Sequence, residues 1–389
     1  MTILLLTLSV FLLYLLWERV SLTRLRNRIA LVIAVTGTRG KTSVVRALAS
    51  ILRESGRIVL AKTTGSQAQI VLPDGTVQDV PRRGVVSILE QKKVLKKAAE
   101  LHADCLVVEI MSILPENHVV ESHHILKPDI VVLTNIRRDH TEAVGETEED
   151  VARALRLDFA PGSKVYVPEE YRHFVDPSTV QPQPPQIISV PHRSSDSLMH
   201  HAKELQKREF DENLDIVTTV ARDFSIDEAT IARGILRARH DIGKLRVWRY
   251  RAGGKRIFLV NAFAANDPES TMRVIKKTRM SLAADAFSFT GLLNLRSDRG
   301  DRTAQWIEAL REGMASNFKR LYVIGGHANV VQRKVKAVEV IKRTRPEEIT
   351  NSIASAMKED GVLFGFGNIG GAGQRLVEHW QRMGEEYGL

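Results

Sequence analysis

The sequence predicts an α/β fold: two domains of parallel strands and covering helices, behind an N-terminal apolar helix. Three observations carry this expectation. Short apolar runs rich in β-branched residues alternate with amphipathic stretches of helical spacing, the mark of βαβ units wound into a parallel sheet. The alternation lapses near "HDIGK", residues 240 to 244, and then resumes, dividing a larger domain from a smaller one. A chain of 389 residues, 43% of them hydrophobic, is long enough for two or three buried cores. No repeat with a period of about 20–50 residues is visible.

Residues 2 to 17, "TILLLTLSVFLLYLLW", carry no charge, and Arg19, Arg24, Arg26 and Arg28 follow them. The run is short of the ~20 residues of a bilayer span, but Thr2, Trp17 and snorkelling arginine stems extend it. A cleaved signal would carry its positive charge ahead of the run and a small-residue site behind it, and neither is visible. Residues 1–28 therefore read as an uncleaved single-pass anchor in the cell membrane, with a basic juxtamembrane segment. The positive-inside rule then places the body in the cytoplasm. A buried or interfacial helix is the alternative.

"IALVIAV" (29–35) reads as a fully buried strand, and "KTSVVRALASILRES" as the helix behind it, closed by Gly56. "CLVVEI" (105–110) follows a helical stretch ending near Leu101, and "DIVVLTN" (129–135) follows Pro128. Residues 173 to 197 hold five prolines and read as a surface loop around the short strand "QIISV". Helical patterning from about 211 to 239 completes the larger domain, residues 29–240. In the smaller domain, residues 241–389, "RIFLVNAF", "LYVIGG" and "GVLFGFG" read as strands.

The 56 Lys and Arg against 46 Asp and Glu leave a formal charge of +10, which favours an anionic partner: nucleic acid, lipid headgroups, nucleotides or an acidic polymer. No nucleic-acid recognition module or stacking motif is present, so nucleic acid is set aside. The single cysteine, Cys105, rules out an intrachain disulfide and fits a reducing compartment; inside an apolar run it reads as a core residue.

"GTRGKTS" stands after a strand and at a helix start, where phosphate chemistry needs it. Gly37 and Gly40 let the backbone approach phosphates, and the helix N-terminus offers free N–H groups and partial positive charge. Lys41 can neutralise the outer phosphates and the Thr42 hydroxyl can ligate Mg²⁺. The general form of such a loop has glycine where Val35 stands, so this is the shorter G-x-x-G-K-T variant. Glu109 closes "CLVVE", and Asn135, Asp139 and His140 follow in "TNIRRDH", all at predicted carboxyl ends of parallel strands. Taken singly, Glu109 could be a surface charge and His140 a loop polar; beside the loop they suit a magnesium–nucleotide site.

The combination resembles the Mur ligase family, the ATP-dependent amide ligases of peptidoglycan synthesis, together with folylpolyglutamate synthase. Within it, the membrane-associated poly-γ-glutamate synthase subunits resemble the chain more closely. The residues that carry this are "GTRGKTSV", "KTTGS" (62–66), "EIMS" (109–112), "NIRRDH" (135–140), "NAFAANDPEST" (261–271), "LRSDRGDRT" (295–303) and "GFGNIGGAG" (365–373), in order over nearly the whole chain. The resemblance implies a Mur-ligase-like central P-loop ATPase domain with a parallel sheet, a smaller Rossmann-like C-terminal domain and the anchor. It implies ATP and Mg²⁺ as cofactors, and ADP-forming ligation of glutamate into poly-γ-glutamate through a γ-glutamyl acyl phosphate. It also implies as partners the growing polymer, membrane lipid and small integral-membrane subunits.

By the same resemblance, Lys41, Glu109, His140, Arg296 and Arg302 are catalytic, and Thr42, Glu109 and His140 hold metal. Nucleotide would meet Gly37, Thr38, Arg39, Gly40, Lys41, Thr42, Ser43 and Asn135, with Arg246 and Asn261 from the C-terminal domain. Substrate would meet Thr64, Gly65, Asn266, Asp267, Arg299, Gly367 and Asn368. Three departures matter. Arg156 stands where the family carries a carbamylated lysine, the UDP-sugar-binding N-terminal domain is replaced by the anchor, and Asn261 stands at the usual aspartate.

Three motifs keep a bland alternative. "LRSDRGDRT", with Arg296, Arg299 and Arg302, reads as a clamp for a phosphoryl group or glutamate carboxylates, or as a solvated, self-paired charge loop. "GFGNIGGAG" reads as an anion nest or as a tight structural turn, since too little chain follows for a dinucleotide fold. "ENHVVESHH", with His118, His123 and His124, matches no zinc spacing and reads as a surface turn. The competing functions are an ATPase subunit that energises export or assembly of an anionic polymer, and a folylpolyglutamate-synthase-type ligase.

Overall fold

The structure, a computed structural model, describes residues 1–64, 68–80, 86–139, 141–175, 183–193, 195–196, 198, 211–238, 245–282 and 287–387. The chain forms two compact units, Met1–His240 and Asp241–Leu389.

The first unit is built on eight strands: β1 (Leu31–Thr36), β2 (Val59–Thr63), β3 (Gln69–Val71), β4 (Val77–Asp79), β5 (Cys105–Glu109), β6 (Ile130–Leu133), β7 (Lys164–Pro168) and β8 (Gln186–Val190). Their order is β4-β3-β2-β5-β1-β6-β7-β8. All pairings from β2 to β8 are parallel, and β3 and β4 add an antiparallel edge. Alternate residues of a strand face opposite layers. Ile33 and Val35 of β1 therefore pack with Leu48, Ile51, Val217 and Ile231 from helices Lys41–Glu54, Asp211–Asp223 and Glu228–Arg237. Val32 and Ala34 pack on the other face with Leu95 and Ala98 of helix Glu90–Glu100. Val35 of β1 lies level with Glu109 of β5, and Thr36 with Leu133 of β6, so the loops after these strands share one edge.

The helical patterning over 211–239 forms two helices, Asp211–Asp223 and Glu228–Arg237. Ser225 takes φ +56° between them, and the Asp227 carboxylate caps the second by accepting the Thr230 N–H at 2.9 Å. Cys105 is a buried core residue of β5, and burial pushes its thiol pKa up.

Helix Thr2–Arg26 leaves its apolar side chains from Ile3 to Trp17 exposed and is long and apolar enough to cross a membrane. Its last two turns are part of the unit. Glu18 pairs with Lys92 (2.6 Å), and buried Arg26 donates to the Lys127 and Ile29 carbonyls (2.9 Å each) and to Asp129 (2.6 Å).

The second unit has seven strands: β9 (Arg246–Ala252), β10 (Lys255–Ala262), β11 (Ser288–Leu295), β12 (Arg320–Gly325), β13 (Val338–Val340), β14 (Gly361–Gly367) and β15 (Glu385–Tyr387). The order is β13-β12-β11-β14-β10-β9-β15; β13 to β10 run parallel, and β9 and β15 pair antiparallel at the far edge. Trp306, Phe364 and Phe366 fill one face of this sheet, and Trp380 and Phe263 the other.

Candidate active site

The loop between β1 and helix Lys41–Glu54 is held open by glycine and stitched from behind. Gly37 has φ +123°, and a Cβ there would lie 2.2 Å from Thr134 Oγ1; Gly40 has φ +81°, and its Cβ would lie 2.7 Å from Asn213 Oδ1. A side chain at either position would meet both strain and a clash. Asn135 clamps the loop, its Oδ1 accepting the Arg39 N–H and its Nδ2 donating to the Arg39 carbonyl, both at 3.0 Å. Thr38 Oγ1 accepts the Arg137 N–H (3.1 Å) and donates to the Arg137 carbonyl (3.0 Å). Arg39 pairs with Asp139 at 3.3 Å. Asn135 and the Thr38 side chain, expected to touch nucleotide, thus brace the loop. Ser43 lies in the first turn of the helix, which carries no acidic residue there to oppose an anion. Lys41 Nζ folds back on the Gly37 carbonyl at 2.6 Å.

Glu109 is nearly buried at the end of β5, and its Oε2 accepts from Thr42 Oγ1 (2.9 Å) and Thr64 N (2.7 Å). No hydrogen bond reaches its Oε1 among the described residues. A carboxylate and a hydroxyl at the head of a phosphate loop are hard oxygen donors that fit Mg²⁺, so Thr42 and Glu109 would hold the ion. His140 and Gly65 lie outside the described residues, among which no cluster of three metal-ligating side chains occurs. Lys62, fully buried in β2, lies 3.2 Å from Met111 Sδ and 3.5 Å from Glu90.

The turn expected at "ENHVVESHH" is instead a buried support beneath this edge. His118 is 3% exposed, and its Nδ1 lies 2.9 Å from both oxygens of Asp158. Asp158 also accepts from Thr36 Oγ1 (2.5 Å), the residue before Gly37, and from Ser122 Oγ (3.0 Å). Burial alone would lower the His118 pKa, but Asp158, with Glu121 behind it, carries it above the ordinary 6.5. Glu121 itself is fully buried in a π-helical turn, Val120–Leu126, and accepts from Gln91, the Met111 and Ser112 amides and the Ser112 hydroxyl. Burial pushes its carboxyl pKa up. Spacing alone could not reveal this network, because its members come from separate elements.

In the second unit several of the residues expected to meet ligand make contacts within the chain. Asn261 is fully buried, its Oδ1 accepting the Phe263 N–H (3.3 Å) at the end of β10. Asp267 caps helix Pro268–Ser281 through the Ser270 N–H (2.8 Å). Arg302 is buried and donates to the Asn266 carbonyl (3.0 Å), tying that loop to helix Gly300–Arg311. Arg246 forms a two-pronged pair with Glu386, with Nη2 2.8 Å from each oxygen. Arg296 pairs likewise with Asp298 (2.8 and 2.6 Å), and Arg299 precedes helix Gly300–Arg311. In the loop after β14, Gly367 has φ +102°, and Asn368 Oδ1 accepts the Gly370 N–H (2.8 Å).

Residues 35–231, half of the chain, match the Mur ligase middle domain. The chain belongs to the Mur ligase family. Residues 247–383 match the poly-gamma-glutamate synthase CapB C-terminal domain. The chain is 27% identical to the capsule biosynthesis protein CapB of Bacillus anthracis over 95% of its own length and 81% of that protein's. It is 28% identical to the PGA synthase CapB of Bacillus subtilis (strain 168), covering 88% of each. Among solved structures, a bifunctional folylpolyglutamate synthase/dihydrofolate synthase with Mn, AMPPNP and L-glutamate bound shares the fold. Its TM-score is 0.61 at 12% identity, over 94% of this chain and 92% of that one.

As a Mur ligase the chain keeps the phosphate loop and the strand-end glutamate. Arg156, expected at the position of the family's carbamylated lysine, opens the turn Arg156–Asp158. Two positions on, Asp158 anchors the network under the loop.

Proposed function

We propose that this Mur ligase is a membrane-anchored, ATP-dependent carboxylate–amine ligase that joins glutamate through γ-amide bonds into poly-γ-glutamate. The observation that carries it is the succession of the Thr42–Glu109–Lys41 site and a second unit that matches the CapB C-terminal domain. A carboxylate and an amine do not form an amide at useful yield in water until the carboxylate has a better leaving group. The γ-phosphoryl of ATP passes to the carboxylate oxygen as its bond to the β-phosphate bridging oxygen breaks, giving acyl phosphate and ADP. The amine nitrogen then bonds to the acyl carbon, the carbon–oxygen bond breaks, inorganic phosphate leaves, and the amine proton goes to solvent.

For this chain the work is positioning and charge neutralisation. Lys41 leaves the Gly37 carbonyl for the outer phosphates, and the loop amides and helix N-terminus hold them. Thr42 and Glu109 would hold Mg²⁺, which would supply charge neutralisation on the phosphates. The family resemblance implies that His140 completes the metal set and that Arg246 meets nucleotide, for which Arg246 must give up Glu386. Arg299 offers a planar fork for a glutamate carboxylate, whereas Arg296 is held by Asp298. The apolar helix supports a place in the membrane beside small integral-membrane partner subunits and lipid, with the body in the cytoplasm.

The test is trapping. Membranes carrying the protein and its partners, given ATP, glutamate and hydroxylamine, are expected to accumulate γ-glutamyl hydroxamate, and Lys41→Ala membranes are not. ADP release with no hydroxamate under any glutamate concentration would favour a subunit that spends ATP on export.

A further inference from the structure

The second unit carries a basic cavity that the ATP chemistry leaves unused. The ends of β11 and β12, the Arg343–Thr344 segment and the start of helix Ala372–Met383 line an open cleft of about 590 Å³. That is within the range of pockets that bury a whole small-molecule ligand. Arg296, Arg343 and Arg375 line it, against one acid, Asp298. Asp298 is already committed, in its two-pronged pair with Arg296, which shows how a carboxylate seats on a guanidinium in this wall. Among the described residues no hydrogen bond or ion pair engages the side chains of Arg343 and Arg375, both exposed. The helix Ala372–Met383 opens on Gly371 with no side-chain cap and no acid in its first turn, so its positive end adds to the same field.

The inventory selects among anions. A free amino acid brings an ammonium as well as carboxylates, and the one acid in the cavity is bound to Arg296. An internal residue of a γ-linked glutamate chain has no ammonium, because its nitrogen is in the amide; it keeps only an α-carboxylate. Two unengaged guanidinium groups and a helix terminus offer several separate carboxylate seats, and linked carboxylates engage such seats with a gain from effective concentration. We propose that this cavity is a polycarboxylate site that holds the γ-linked product chain rather than a single glutamate. The proposal rests on the ligase reading for the identity of the polymer, but not for the binding itself.

The test is direct binding to the full-length protein in nanodiscs, independent of turnover. A labelled γ-linked glutamate oligomer of roughly ten residues is titrated, with free glutamate and inorganic phosphate as competitors. The unlabelled oligomer is expected to compete at concentrations at least about tenfold below either small anion. Arg343→Gln combined with Arg375→Gln is expected to weaken oligomer binding by about tenfold or more and to flatten its salt dependence. Asp298→Asn, which frees Arg296 and removes the opposing charge, tightens it. Lys41→Ala, which abolishes ligation, keeps oligomer binding, so failure of the ligase reading and failure of this site give different patterns. Wild-type binding in the double arginine variant, with its melting temperature unchanged, would overturn the proposal. So would displacement of the oligomer by free glutamate or phosphate at equal concentration.

Discussion

Lys41 rests on the Gly37 carbonyl, so phosphates replace one partner with a better one and no side chain has to be ordered anew. Lys41→Ala is expected to lower turnover by about 10²–10³-fold, the cost of one preorganised donor, with the fold intact by circular dichroism. His118 makes a pH-dependent prediction. A group whose pKa is raised in the folded state adds stability that is complete below its unfolded value and fades as pH rises through the folded one. The melting-temperature gap between wild type and His118→Gln should therefore be widest below 6.5 and narrow toward alkaline pH; a gap constant with pH would contradict a charged His118–Asp158 pair. The phosphate loop was legible because its residues are consecutive. The support under it was not, since Asp158 lies 40 positions from His118 and 122 from Thr36. The Asn261 bond to the Phe263 N–H and the Asp267 helix cap were likewise invisible in the motif letters.

Elements place these residues. Helices Lys41–Glu54 and Glu228–Arg237 approach closely at Gly234, where a Cβ would lie 2.5 Å from Ile51 Cα. Gly234→Ala should separate them and cost about 1–3 kcal/mol in urea unfolding, with the change carried by the midpoint. Gly40→Ala strains the loop itself, so its expected deficit is nucleotide affinity, about tenfold or more by titration, with a smaller loss of stability. Strands β1, β5 and β6 were readable as apolar runs because a central parallel strand is buried on both faces. β2 was hidden by Lys62, a buried lysine that Glu90 and Met111 meet. β3, β4, β13 and β15, at three residues each, are too short for any periodicity to register.

At the scale of the molecule, the apolar helix and the ATP-binding unit are continuous. Arg26 is bonded to the 127–129 segment, and Asp129 also accepts the Val32 N–H of β1 at 2.8 Å. Removing residues 1–17 should release the chain from membranes with its melting temperature kept. Arg26→Ala in that shortened chain should cost about 2–3 kcal/mol, because buried partners of a charged donor are left unmet. The α/β class was legible from the alternation of apolar runs with amphipathic stretches, whereas which second-unit arginines are already engaged could be seen only once their neighbours were in place. The most direct test of the whole account is nucleotide turnover in membranes carrying the protein with its partner subunits, with and without glutamate, beside Lys41→Ala. ADP and phosphate release that requires glutamate and is lost in the variant is expected. ADP release indifferent to glutamate, or AMP as the product, would contradict it.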